Sequence, residues 1–85
     1  MPNHWIITKD FIGSKSKGIR SSAFPDNLSA DDLPVTFQMY DDDKNLYVEG
    51  KMVREDFEPL DDYGMGGLGC TGVKTSVNGS QFEWL

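Results

Sequence analysis

The chain has 85 residues, of which 38% are hydrophobic and 12% aromatic, and its formal net charge is −6. This length predicts a single small domain over residues 1–85, and the apolar content excludes a disordered acidic tail. The surplus of acidic residues disfavours binding to nucleic acid, because phosphates would be repelled. Apolar runs are too short for a membrane span, and the single Cys70 cannot form an internal disulfide, so we expect a cytoplasmic protein.

The first predicted strand covers residues 4–12 and is followed by a loop. Apolar residues at alternate positions are typical of a half-buried strand, and they predict an inward face. Residues 13–24 are rich in Gly, Ser and Lys, a composition that predicts a mobile loop. The inward-facing residues of this first strand would be Trp5, Ile7 and Phe11.

A hairpin is predicted around the acidic turn of residues 41–44. Apolar residues alternate on both sides of this turn, at Val35, Phe37 and Met39 before it and at Leu46, Val48, Gly50 and Met52 after it. A four-residue loop would place Phe37 opposite Val48 and put the apolar side chains on one face. The same register would place Tyr47 and Glu49 together on the outer face.

A long connection, residues 54–69, follows this hairpin and has no strand pattern. Connections of this length are uncommon in compact domains and often carry function. Its apolar residues predict a plug over one end of the fold, and its acidic residues equally permit a binding site. These two interpretations remain open at the level of sequence.

The C-terminal segment contains the clearest hairpin signal. Asn78-Gly79 separates two alternating runs, and this dipeptide favours a tight turn because both residues tolerate positive φ. A two-residue loop predicts that Trp84 lies opposite Val73, inside the core. The pattern of the whole chain predicts an all-β fold, a small antiparallel barrel or sandwich of about five short strands with one long plug-like loop.

Residues 40–50, 57–64 and 69–71 carry a resemblance to a known group of proteins. Their order resembles small bacterial proteins of phage or plasmid type. These share an acidic Tyr-Asp-Asp-Asp turn, a Pro-Leu-Asp-Asp-aromatic-Gly loop and a Gly-Cys-Thr strand start. A Trp near the C-terminus, here Trp84, belongs to the same pattern. The resemblance implies a shared architecture and no known activity.

Candidate metal and catalytic residues are few. Asp41 and Asp43 occupy the first positions of a calcium loop, but Leu46 and Met52 replace its glycine and its bidentate Glu, so an EF-hand is excluded and only a weak calcium site remains. The single His4 and Cys70 match no catalytic signature. We therefore expect no enzymatic activity and no required cofactor, with calcium as the one candidate ligand.

The sequence thus favours a non-catalytic module that binds another protein, with a basic partner favoured by the net charge. If residues 54–69 folded back along the outer face, their acidic residues and those of the 41–44 turn would form one acidic stripe, bridged by Tyr47 and Glu49. Two alternatives are a calcium-binding acidic protein and a phage or plasmid accessory protein that inhibits a host nucleic-acid enzyme. The predicted partner-binding residues are Tyr47, Glu49, Asp61, Asp62 and Tyr63.

Overall fold

The computed structural model describes residues 3–22 and 24–85, and it consists mainly of one antiparallel sheet. The strands lie in the order β1-β3-β2-β4-β5, so the predicted all-β fold with about five short strands is confirmed. The sheet stays open and does not close into a barrel, because β1 and β5 form its two edges. The strands are β1 (Trp5–Asp10), β2 (Val35–Tyr40), β3 (Leu46–Met52), β4 (Gly72–Val77) and β5 (Glu83–Trp84).

The hydrophobic core lies on one face of the sheet, which we call the inner face. Alternate residues of four strands point to it, as the period of two in the sequence predicts. Leu60 and Cys70, which lie outside the strands, complete the core on this face. The buried cluster comprises Trp5, Ile7, Val35, Phe37, Met39, Val48, Met52, Leu60, Cys70 and Val73.

A π-helix, Leu60–Leu68, covers the inner face. The sequence predicted no strand in residues 54–69, and none forms there. Leu60 enters the core, as the plug interpretation of this segment expects. Gly64 permits this close packing, because a Cβ built there would lie 2.6 Å from the Met39 sulphur. The left-handed Gly69, with φ of 76°, ends the helix. Among the described residues, no helix is long and apolar enough to cross a membrane.

The predicted mobile loop is anchored along the free edge of β1. The Ile7 amide donates to the Ile19 carbonyl at 2.8 Å, and the Ser21 amide donates to the Trp5 carbonyl at 2.9 Å. Ser16 is completely buried. This segment protects the edge strand from pairing with another chain. Ala23, which belongs to the predicted loop, lies outside the described residues.

A bulge in β1 changes which of its residues face inward. Ile7 pairs with Gly50 and Lys9 with Glu49, so Thr8 is the extra residue. The strand ends at Asp10, and Phe11 is 52% exposed. Phe11 is therefore not a core residue, contrary to its predicted inward position, because the bulge shifts the alternation by one.

The β2–β3 hairpin has a different register from the predicted one. Phe37 pairs with Gly50, whereas the four-residue loop predicted Val48 as its partner. The turn is one residue longer than predicted, and a second bulge, at Tyr47, adds one more residue to β3. Together they shift the pairing by two residues. Because the side-chain period is also two, the inward face of residues 48–52 is as predicted.

The C-terminal hairpin turns at Asn78-Gly79 as predicted, with φ values of 52° and 81°. Its pairing is shifted by one residue from the predicted register, however. The residues between the turn and β5 form no ladder pair, and the first pair is Thr75 with Glu83. Lys74 pairs with Trp84. Trp84 is 49% exposed. The predicted burial of Trp84 opposite Val73 is therefore wrong, since a one-residue shift moves a side chain to the other face.

Candidate functional site

The face of the sheet opposite the π-helix, which we call the outer face, carries a continuous row of side chains. Lys9 pairs with Glu49, Glu49 with Gln38, Gln38 with Lys74, and Lys74 with Trp84. One ladder position therefore crosses all five strands. Side chains at paired positions on neighbouring strands lie on the same face and contact each other.

Hydrogen bonds connect the middle of this row. The Gln38 amide donates to a Glu49 carboxylate oxygen at 2.9 Å, and the Tyr40 hydroxyl donates to the Gln38 carbonyl oxygen at 2.7 Å. The Lys9 ammonium lies 3.5 Å from the other Glu49 oxygen. Partial burial and the Glu49 charge both raise the pKa of Tyr40, so its hydroxyl keeps the proton that it donates. The charge of Glu49 is thus satisfied within the row.

Trp84 is held in place although half of its side chain is exposed. Its ring meets the Tyr40 ring edge-on with centroids 5.0 Å apart, and the Lys74 ammonium lies 4.7 Å from its centroid. Gly72 leaves room for the indole, because a Cβ at that position would lie 3.2 Å from the ring. We call Tyr40, Gly72, Lys74 and Trp84 the Trp84 patch.

The Trp84 patch was not predicted from the sequence, and the signal for it is weak. An apolar residue in the last strand of a hairpin is more often buried than exposed, so the pattern indicated a core position. The presence of Gly72 on the strand that pairs with Trp84 is the one hint, since a glycine within a strand often marks a close approach by a large group.

Two of the predicted partner-binding residues, Tyr47 and Glu49, lie on opposite faces of β3. The bulge turns Tyr47 toward the core, against which it packs. There the pKa of Tyr47 is raised by its hydrogen bond to the Asp41 carboxylate and by that group's charge. Glu49 remains on the outer face, in the row described above. These two residues therefore do not form the joint surface that the sequence indicated.

The other three, Asp61, Asp62 and Tyr63, lie at the start of the π-helix. Asp61 and Asp62 are exposed. Asp62 accepts a hydrogen bond of 3.2 Å from the indole nitrogen of Trp5, and the Tyr63 hydroxyl lies 2.9 Å from that of Ser16. Asp62 and Tyr63 also line an open cleft of about 310 Å³ together with Trp5, Ile19, Arg20, Ser21 and Ser22.

The predicted acidic stripe does not form in the structure. It required residues 54–69 to fold back along the outer face, but Leu60 enters the core on the inner face. Asp61 and Asp62 are therefore separated from Glu49 by the sheet itself. The physical reason is that the apolar residues of this segment, Leu60 and Leu68, are drawn to the exposed apolar face of the sheet.

The carboxylate of Asp41, one of the two predicted calcium ligands, is used by the turn in which it lies. One carboxylate oxygen of Asp41 accepts from the amides of Asp43 and Asn45, each at 2.9 Å, and the other accepts from the Asn45 side chain at 3.1 Å. These bonds lower the pKa of Asp41, since hydrogen bonds to the charged form favour it. Within residues 3–22 and 24–85, no group of three His, Cys, Asp or Glu residues is placed to hold a metal.

The two residues that sequence reasoning considered for catalysis lie in unlike environments. Cys70 is completely buried, and burial raises the pKa of its thiol to about 11, with a further contribution from the Asp41 charge. A protonated, buried thiol is a poor nucleophile. His4 packs edge-on against Phe24, with ring centroids 6.0 Å apart.

In comparisons with known proteins, no family model, no curated protein and no solved structure matched the chain.

Proposed function

We infer that this chain is a non-catalytic protein-binding module whose contact surface is the Trp84 patch. The observation that carries the proposal is Trp84 itself, a large aromatic side chain that is 49% exposed yet fixed by Tyr40 and Lys74. Tryptophan and tyrosine are enriched among the residues that dominate binding energy at protein interfaces. A side chain that is already ordered loses little conformational entropy when a partner covers it.

The environment of Cys70 supports a role without catalysis in a reducing compartment. Burial and the Asp41 charge both raise the pKa of its thiol, which disfavours the reactive thiolate. We propose the cytoplasm as the location of the protein, because an unpaired cysteine remains reduced there.

The proposal is tested by affinity capture from the source cell with three forms of the immobilised protein. These are the wild type, Trp84→Ala and a control, Met65→Ala. Met65 is 50% exposed and lies on the π-helix, on the opposite side of the sheet, so its removal deletes a similar apolar area. We expect a protein that the wild type and Met65→Ala retain and that Trp84→Ala loses.

Each variant is first compared with the wild type by circular dichroism and thermal unfolding, so that loss of binding is not loss of folding. Binding of the purified partner is then measured by calorimetry, with a loss of at least tenfold in affinity expected for Trp84→Ala. A set of retained proteins that is the same for Trp84→Ala and the wild type would contradict the proposal.

A further inference from the structure

The strands place more cations than carboxylates on the outer face, although the chain is acidic. Within the described strands, the ladder pairing places Lys9, Lys51 and Lys74 on this face, with Glu49 as the acidic residue among them. Arg20 joins them, because it forms a bridge to Ile6, which pairs with Lys51. Residues 23–62 are strongly acidic as a segment, but the lysines of the strands lie on the outer face.

The cations of this face differ in whether a carboxylate neutralises them. Glu49 is engaged by Lys9 at 3.5 Å. Among the described residues, neither Lys51 nor Lys74 has a carboxylate within 4.0 Å. The Lys74 ammonium instead lies over two rings, 5.3 Å from the centroid of Tyr40 and 4.7 Å from that of Trp84. Its charge is positioned without being neutralised, and it faces the same side as the half-exposed indole.

We propose that the Trp84 patch binds an acidic segment of a partner protein, in which a carboxylate pairs with Lys74 and an adjacent apolar side chain covers Trp84. This proposal rests on the proposed function and reverses the charge that the whole sequence favours for the partner. The reversal is physically reasonable because exposed charges more than about 8 Å away are screened at physiological ionic strength, so the local face decides the contact.

A single-stranded nucleic acid is the competing polyanion for this face. Bases bind such proteins by stacking on open aromatic rings. Here the Lys74 ammonium already occupies one face of the Trp84 ring, and the Tyr40 ring approaches it edge-on. The net charge of −6 also opposes a long polyanion more strongly than a short peptide segment. The geometry therefore favours carboxylates on a protein.

The first experiment measures binding of defined probes by fluorescence anisotropy. They are a labelled peptide of alternating glutamate and leucine, the same peptide with lysine in place of glutamate, and oligodeoxythymidine. We expect the acidic peptide to bind most tightly, with affinity reduced about tenfold by Lys74→Gln and less by Lys51→Gln. Lys17→Gln, which removes an exposed charge from the 13–24 segment, is the matched control and should keep affinity within about twofold of the wild type.

Several outcomes would overturn the acidic-segment proposal. These are no binding of the acidic peptide at millimolar concentration, tighter binding of the basic peptide, or oligodeoxythymidine binding that depends on Trp84. Light scattering is measured in parallel, because a dimer that Lys74→Gln dissociates would identify the occupant as a second copy of the chain.

The second experiment repeats the affinity capture with Lys74→Gln and Lys51→Gln beside Trp84→Ala. A partner that both Trp84→Ala and Lys74→Gln lose supports the acidic segment, with a smaller loss expected for Lys51→Gln. A partner that Trp84→Ala loses and Lys74→Gln keeps would refute the acidic segment and leave the protein-binding function standing. A partner that survives Trp84→Ala would refute the proposed function itself.

Discussion

The hydroxyl groups of Tyr63 and Ser16 lie 2.9 Å apart and join the π-helix to the segment that runs along β1. Ser16 is completely buried, and its hydroxyl also lies 2.7 Å from that of Ser14. Two elements that are far apart in the sequence are thus held together by a polar contact beneath the surface. Because the contact is partly buried, water competes for it less than for a contact at the surface.

Tyr63→Phe removes this contact and keeps the ring. We expect a loss of about 1 kcal/mol in the free energy of unfolding, measured by urea denaturation. Ser16→Ala and the double variant complete a cycle that isolates the coupling between the two hydroxyls. Effects that add without coupling would show that the hydroxyls do not act on each other.

The two tryptophans should respond very differently to truncation. Trp5 is 2% exposed in the core, so Trp5→Ala should cost about 3–5 kcal/mol of stability. Trp84 is half exposed, so Trp84→Ala should cost about 1 kcal/mol. Thermal unfolding of both variants checks this difference, and a similar fall in Tm for the two would place Trp84 in the core after all.

Asp10 should make stability depend on pH in the acid range. Partial burial raises the pKa of its carboxyl, but hydrogen bonds from Ile12, Ser14 and Ser16 outweigh that effect and lower it to about 2. Its contribution is therefore fully present above about pH 4, the unfolded value, and is lost as the pH falls toward 2. Asp10→Asn should unfold more readily than the wild type at pH 6, and the difference should close by pH 2.

Cys70 should be protected from alkylation. Burial raises the pKa of its thiol to about 11, so the stability it contributes is present below about pH 9 and declines as the pH rises toward 11. Iodoacetamide at pH 8 should modify the native protein far more slowly than the urea-unfolded protein. Equal rates in both states would contradict the burial of Cys70.

Calcium should leave the acidic turn unchanged. Both Asp41 oxygens accept hydrogen bonds from Asp43 and Asn45, and the described residues bring no group of three His, Cys, Asp or Glu side chains together for a cation. We expect amide chemical shifts of residues 41–45 to stay constant through millimolar calcium. Saturable shifts that Asp41→Asn abolishes would instead support the calcium-binding alternative.

Much of the fold could be predicted from the sequence because it depends on local chemistry. The tight turn at Asn78-Gly79 follows from residues that tolerate positive φ. The burial of Val35, Phe37 and Met39 follows from their alternation on β2. The candidate site could not be predicted in this way, because the exposure of Trp84 depends on the one-residue shift between β4 and β5.

The sequence by itself determined the presence of the strands, the turn at Asn78-Gly79 and the apolar face of β2, since each depends on residues within a few positions of one another. Tertiary structure alone decided the strand order, the two bulges and the side of the sheet that the π-helix covers. A single extra residue moves a side chain to the opposite face, and which residue is extra depends on packing against distant strands. For that reason the tertiary structure brought Lys74 and Trp84 together on the outer face.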